Sequence, residues 1–187
     1  MDDDAQLSRL DRSRDERRTE LARDLVAAAY LRGDFVLSSG ARSSYYFDKY
    51  LFETRPGILR RLAEFLADEI PPETDRIAGP ELGAVALATA VSLETGLPFV
   101  IVKKDAKGYG TSRLVEGELY RGDKVTILED VVSTASQAVR AAKQLGRVGA
   151  HVVAIVSVID RDQGGAENIA AAGYHYRPLF SKAELGL

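Results

Sequence analysis

Four short runs rich in apolar residues recur along this chain, and none alternates with polar residues: Arg76-Ile77-Ala78-Gly79, Phe99-Val100-Ile101-Val102, residues 124–128 and residues 152–159. A strand with one face in water alternates, whereas a strand covered on both faces does not. A helical segment, residues 82–95, follows the first run and stops at Gly96. Another, residues 138–145, follows the third and stops at Gly146. This order predicts a parallel sheet with helices on both faces, an α/β doubly wound domain.

The N-terminal part reads differently. Residues 1–14 mix both charge signs with little apolar content and are expected to fray. From Asp15 onward, Leu21, Leu25, Val26, Ala29 and Tyr30 recur at helical spacing, and Gly33 is expected to close that helix. Phe35-Val36-Leu37 and Tyr45-Tyr46-Phe47 flank a Ser-Ser-Gly turn and predict a hairpin. A helix starts near Pro56, carries Leu59, Leu62, Ala63, Leu66 and Ile70, and stops at Pro71-Pro72. Residues 103–113 form a polar, glycine-bearing loop. With 187 residues and no internal repeat, one domain is expected.

Composition removes several chemistries. Without cysteine there is no disulfide framework, thiol nucleophile or cysteine-held metal. The two histidines, His151 and His175, stand too far apart in sequence to suggest a metal cluster. A net charge of −3 argues against bulk binding to nucleic acid or an anionic membrane. The longest apolar run, residues 84–93, is broken by Thr89 and Ser92 and falls short of the roughly 18 residues a span requires. The acidic opening Met1-Asp2-Asp3-Asp4 is unlike a signal peptide, so a cytoplasmic protein is expected.

The third run leads into Glu129-Asp130-Val131-Val132-Ser133-Thr134-Ala135-Ser136-Gln137, after which a helix begins. Ligands of open α/β sheets bind beyond the carboxyl ends of the strands. Small residues there let backbone N–H groups approach an anion, and a helix N-terminus favours negative charge. Ser133, Thr134 and Ser136 add hydroxyl donors. Two adjacent carboxylates suit a sugar diol, with each charge-assisted hydrogen bond contributing about 1.5–3 kcal/mol. A phosphate beside a diol describes a ribose 5-phosphate. An acidic pair at a strand end also serves as a plain cap or a solvated turn, so the motif alone leaves both readings open.

Residues 129–136 resemble the phosphoribosyl diphosphate (PRPP) signature of type I phosphoribosyltransferases. Other stretches are similar to the orotate branch of that family. They are Phe35-Val36-Leu37-Ser38-Ser39-Gly40 with Ser43-Ser44-Tyr45-Tyr46-Phe47-Asp48, then Gly79-Pro80-Glu81-Leu82-Gly83. Next come Val102-Lys103-Lys104-Asp105-Ala106-Lys107-Gly108-Tyr109-Gly110-Thr111 and Asp160-Arg161-Asp162-Gln163-Gly164-Gly165. The resemblance runs in order from about Leu21 to the C-terminal end.

It implies a type I phosphoribosyltransferase-like fold, with a mainly parallel sheet flanked by helices and residues 15–54 as a small N-terminal hood of helix and hairpin. It implies transfer of the 5-phosphoribosyl group from PRPP to orotate, giving orotidine 5′-monophosphate and pyrophosphate in pyrimidine (UMP) synthesis. Mg²⁺ is the implied cofactor, and because magnesium keeps most of its waters no protein metal cage is expected. Residues 103–113 become a mobile catalytic loop in which Lys107 falls on the family's catalytic lysine and Lys103 and Lys104 match a basic pair. Lys107, Lys104 and Asp130 are the implied catalytic residues. Lys103, Lys104, Lys107, Tyr109, Glu129, Asp130, Ser133, Thr134, Ala135, Ser136 and Gln137 are implied to bind PRPP. Ser38, Tyr46, Phe47, Ser133 and Arg161 are implied to bind orotate, Arg161 by pairing with its carboxylate. The 79–83 turn offers backbone amides to a second phosphate group. The family also implies a homodimer that shares the mobile loop across subunits, with no nucleic-acid or membrane partner. Transfer to another nucleobase, or a non-catalytic PRPP sensor, are the alternative functions.

Two positions depart from the family pattern. Ser38 stands where many relatives carry lysine. Ala135 stands in a loop that usually carries glycine; a left-handed backbone there would cost about 1–2 kcal/mol, whereas a helical one would accept alanine freely.

Overall fold

The computed structural model describes residues 12–36, 40, 42–104 and 114–187. Helix α1 (Arg14–Ala29) opens on a capping box: Ser13 Oγ accepts the Glu16 N–H at 3.2 Å, and Glu16 Oε2 accepts the Ser13 N–H at 2.8 Å. Ser13 and Arg14, expected in the tail, are thus the cap and first residue of this helix. Leu21, Leu25, Ala28 and Ala29 are its buried side. Gly33 does not close it. The chain passes at Tyr30 directly into strand β1 (Tyr30–Val36), because Tyr30 already pairs with Phe47 of β2 (Arg42–Phe47). The two strands form the antiparallel hairpin that was expected.

A short helix α2 (Tyr50–Glu53) leads to α3 (Pro56–Ala67), whose proline stands where a missing N–H does no harm. Then follow β3 (Arg76–Pro80), α4 (Gly83–Thr95), β4 (Phe99–Val102), β5 (Val115–Glu116) and β6 (Lys124–Val132). The chain ends with α5 (Ser136–Arg147), β7 (His151–Asp160), α6 (Gly165–Ala171) and β8 (Tyr176–Ser181). The main sheet has the order β5-β4-β3-β6-β7-β8, with every neighbouring pair parallel except β4 and β5.

The missing alternation now has a structural cause. On β6, Leu128 enters an apolar layer with Leu21, Phe52, Leu62 and Leu87 from α1 to α4. Its neighbour Ile127 enters the opposite layer with Ala142 and Leu145 of α5 and Ile169 of α6. Both faces of the strand are buried, so both residue parities are apolar. Gly79 permits close packing of α4 on β3: a β-carbon there would stand 2.7 Å from the Ala84 carbonyl oxygen and 2.8 Å from Ala88 Cβ. Strand β6 runs four residues beyond the expected Leu128, because pairing with β7 continues through Glu129–Ser157 to Val132–Asp160. Helix α5 likewise continues through Gly146 to Arg147.

Candidate active site

Strands β3 and β6 are parallel neighbours, so the β3–α4 turn and the β6–α5 loop meet at the same end of the sheet. Between them lies a cavity of about 260 Å³. It is lined by Pro80, Glu81 and Gly83 on one side and by Glu129, Asp130, Ser133, Thr134, Ala135, Ser136 and Gln137 on the other. Lys49, just ahead of α2, completes the wall. The acid pair and the hydroxyl loop picked out in the sequence therefore face one space.

Its floor is strongly charged and largely dry. Asp130 is 3 % exposed; its Oδ2 accepts the Lys49 ammonium at 2.6 Å and its Oδ1 accepts the Val131 N–H at 2.5 Å. Burial opposes the charge on Lys49, but Asp130 outweighs it and raises the lysine above its usual range. Glu129 and Glu53 are both buried, and among the described residues Oε1 of each has no hydrogen-bond partner. Burial first, and then the negative charge of Asp130, pushes each of the two carboxyls up to about 8.

That shift fixes how stability follows pH. A carboxyl raised on folding binds its proton more tightly in the folded chain. Its stabilisation is complete below the ordinary carboxylate range and is lost as pH rises towards 8. Glu16 and Glu184 are shifted the other way by hydrogen bonds from Ser13 and Ser181, so their stabilisation changes only in more acid solution. The substrate-free protein should therefore melt several degrees lower at pH 8.5 than at pH 5.5, and Glu53→Gln should flatten that slope. A melting temperature that rises across this interval would contradict the assignment.

The loop between β6 and α5 gives Ala135 the left-handed of the two backbones considered for it, with φ 60° and ψ 10°, at the N-cap of α5. Ala135 is 6 % exposed and packs in the apolar layer with Ala138 and Ala142 while also lining the cavity. The left-handed backbone costs about 1–2 kcal/mol. Glycine would relieve it but lose about 0.8 kcal/mol of methyl burial and roughly as much again through a freer unfolded chain. Ala135→Gly should accordingly leave stability within about 1 kcal/mol and the KM for PRPP within about twofold. A tenfold fall in that KM would show that the methyl obstructs the anion.

A second recess, of about 10 Å³, shares Val131 with the first. Tyr45, Phe47, Val131, Ile159, Arg161 and Lys182 line it. Successive residues of a strand point to opposite faces, so β2 brings Tyr45 and Phe47 here together. Tyr46 turns away, 43 % exposed, with its ring 5.6 Å from that of Phe35. The structure thus gives Tyr45 the place the sequence reading gave to Tyr46. Hydrogen bonding from Arg161 lowers the Tyr45 phenol below its usual range, against burial, and Lys182 adds to the effect.

A third recess, of about 10 Å³, lies beside Glu81, with Lys103, Lys104, Gln137 and Arg140 among its walls. The Lys104 N–H donates to Glu81 Oε1 at 2.6 Å. The Lys103 ammonium is held by Glu116 at 2.7 Å and does not reach the main cavity. Ser38, Lys107 and Tyr109 lie outside the described residues.

Sequence reasoning missed Lys49, Glu53, Tyr45 and Lys182. Tyr45 was within reach, since period two joins it to Phe47. Lys49 and Glu53 stand four apart, but the helix that carries Glu53 spans only four residues and has no periodic signal. Lys182 directly follows β8, which the pattern did not disclose.

Among the described residues, no group of three or more histidines and carboxylates could hold a metal ion. Glu129 and Asp130 still offer hard oxygen donors, and the unpartnered Glu129 oxygen is one of them. This donor set fits magnesium that arrives on a polyanionic substrate and keeps its waters. Nor is any helix among the described residues long and apolar enough to cross a membrane.

Comparison with known proteins agrees with this geometry. Residues 53–172 match the phosphoribosyl transferase domain family. The orotate phosphoribosyltransferase of Methanocella arvoryzae is 44 % identical over 168 residues, covering 89 % of this chain and 96 % of that protein. The chain belongs to the orotate phosphoribosyltransferases. The Pyrococcus horikoshii orotate phosphoribosyltransferase is 47 % identical over 82 % of this chain and 84 % of its own length. The crystal structure of Mycobacterium tuberculosis orotate phosphoribosyltransferase in complex with PRPP superposes with a TM-score of 0.77 at 30 % identity, covering 91 % of this chain and 99 % of that one. Within this orotate phosphoribosyltransferase the matched domain begins at Glu53, so the hairpin carrying Tyr45 and the segment carrying Lys49 lie ahead of it.

Proposed function

We propose that this chain transfers the 5-phosphoribosyl group from PRPP to orotate, releasing pyrophosphate and forming orotidine 5′-monophosphate. The observation that carries this reading is the single cavity in which Glu129 and Asp130 face the 133–137 loop. The loop amides, at the start of α5, bind the 5-phosphate. Ser133, Thr134 and Ser136 add hydroxyl donors, and Gln137 adds its amide. Asp130 and Glu129 accept hydrogen bonds from the ribose hydroxyls and stand near the cationic sugar of the transition state. The β3–α4 turn offers amides to the diphosphate. Magnesium arriving with the diphosphate would supply charge neutralisation of the leaving group, and Glu129 and Asp130 are the residues whose oxygens could face it. Lys104 and Lys107 place positive charge on the departing pyrophosphate, with Lys103 and Tyr109 nearby in the loop. Arg161 pairs with the orotate carboxylate beside Phe47, and Ser38 and Ser133 complete the base site.

The same reading makes residues 1–187 one phosphoribosyltransferase domain, with residues 103–113 as its mobile loop. It makes the protein a cytoplasmic homodimer in which each loop reaches the partner's site. The test is the fall in orotate ultraviolet absorbance with PRPP and Mg²⁺. Turnover should require all three and should drop at least about tenfold in Lys107→Ala. A protein that binds PRPP tightly but consumes no orotate would belong with another base or with the sensors.

A further inference from the structure

We propose that Lys49 and Glu53 are positioning residues for Asp130, holding its carboxylate where the ribose hydroxyls of PRPP can reach it. This rests on the reading of Asp130 as the ribose-binding acid.

Three parts of the fold converge on that one carboxylate. Strand β6 supplies the Val131 N–H to Oδ1, and Lys49 supplies its ammonium to Oδ2. At the start of α4, Gly83 leaves the space empty: a β-carbon there would stand 1.7 Å from Asp130 Oδ2 and 2.8 Å from Lys49 Nζ. A carboxylate has about four acceptor positions. With the Lys49 ammonium and the Val131 N–H on its two oxygens, the carboxylate keeps acceptor capacity for a ribose hydroxyl. Lys49 is 34 % exposed and reaches the acid from the mouth of the cavity, whereas the Asp130 side chain is only 4 % exposed.

Charge makes the lysine necessary. Asp130 lies among Glu129 on its own strand and Glu53 on α2, with Asp48 also acting on Glu53 and Arg140 on Glu129. Lys49 is the cation in contact with it. Without that ammonium the buried carboxylate would lose the cation that meets it and the contact that fixes its Oδ2, which is the costly way to break a buried ion pair. Glu53 lies against Asp130 from the buried side, 2 % exposed, and its side chain shares a hydrogen bond with that carboxyl. The segment carrying both residues begins directly after Phe47 and Asp48, so one stretch of chain fixes the base pocket and the ribose acid together.

The experiment is steady-state kinetics and thermal melting of Lys49→Met, Glu53→Leu, Glu53→Gln and Asp130→Asn. Lys49→Met should lower kcat/KM for PRPP by about 10–100-fold, the range seen when partners that orient a ligating group are removed, and leave the KM for orotate within about threefold. Glu53→Leu replaces a buried carboxyl by an apolar group, so it should melt no lower than the wild type yet lose about tenfold in kcat. Glu53→Gln, which keeps shape and a donor, should restore most of that loss. If Lys49→Met does not fold, the two Glu53 variants decide. Glu53→Leu as active as Glu53→Gln overturns the proposal, as does a Lys49→Met enzyme within about twofold of wild type while Asp130→Asn is inactive. An active Asp130→Asn enzyme overturns the reading of Asp130 itself, and the proposal with it.

Discussion

Gly83→Ala should abolish most turnover, with a fall in kcat/KM for PRPP on the order of 10³-fold and a melting temperature roughly 5–10 °C lower. The added methyl would fall 1.7 Å from Asp130 Oδ2, 3.0 Å from its Cγ and 2.8 Å from the Lys49 ammonium, all far inside contact distance. Neither neighbour has room to yield. Asp130 is tied to the Val131 N–H and almost fully buried, and Lys49 is tied to Asp130. Either the first turn of α4 shifts away from the sheet or the carboxylate rotates out of line. The first outcome displaces the amides proposed to face the diphosphate. The second parts the buried Asp130 carboxylate from the Lys49 ammonium, which is the expensive way to break an ion pair. Gly57→Ala is the matched control, because a methyl at that helical position meets nothing within 4 Å. The two variants should be compared in the orotate absorbance assay and by thermal melting. A Gly83→Ala enzyme within about threefold of wild type would mean that Asp130 can relocate without penalty, against the burial and bonding described.

The sheet was legible because burial on both faces removes alternation, and β3, β4, β6 and β7 each carry that signature. The same burial hid the end of β6. Glu129 and Asp130 are charged residues inside a paired strand, and charge normally marks a strand's end. Gly33 misled for a related reason: glycine ends helices through the left-handed backbone it accepts, but the pairing of Tyr30 with Phe47 had already drawn the chain into a strand. In the site, the 133–137 loop was legible as local sequence, since residues adjacent in the chain line the cavity together. Lys49 and Glu53 were not, because their partner lies 81 residues away from Lys49 and only the packing of α2 on the sheet brings them together. Tyr45 lay between the two cases: strand parity joins it to Phe47 within the run already read as a strand.

Arg161→Ala should raise the KM for orotate on the order of 10²-fold while moving the KM for PRPP less than about threefold. The guanidinium stands at the end of β7, where the Arg161 N–H donates to the Val132 carbonyl at 2.8 Å and fixes the side chain's origin. In the substrate-free chain it donates to the Tyr45 phenol, and the recess around it has room for about one water molecule. On the proposed base site, orotate would take Arg161 from Tyr45, exchanging a bond to a phenol for a planar pair with a carboxylate. Two charge-assisted bonds contribute about 1.5–3 kcal/mol each, and the phenol bond given up offsets about 1 kcal/mol, so a loss of two decades is the moderate expectation. Arg161→Lys should recover only part of it, because an ammonium is a point charge and cannot present two parallel donors. Tyr45→Phe should move the orotate KM the other way, by a few-fold, since it removes the competitor but keeps the ring stacked on Tyr30 at 5.4 Å between centroids. Steady-state kinetics with each substrate varied in turn separates these effects. If Arg161→Ala leaves the orotate KM unchanged, the carboxylate is held elsewhere, and Lys182, whose ammonium lies 5.9 Å from the centre of the Tyr45 ring, is the cation to replace next.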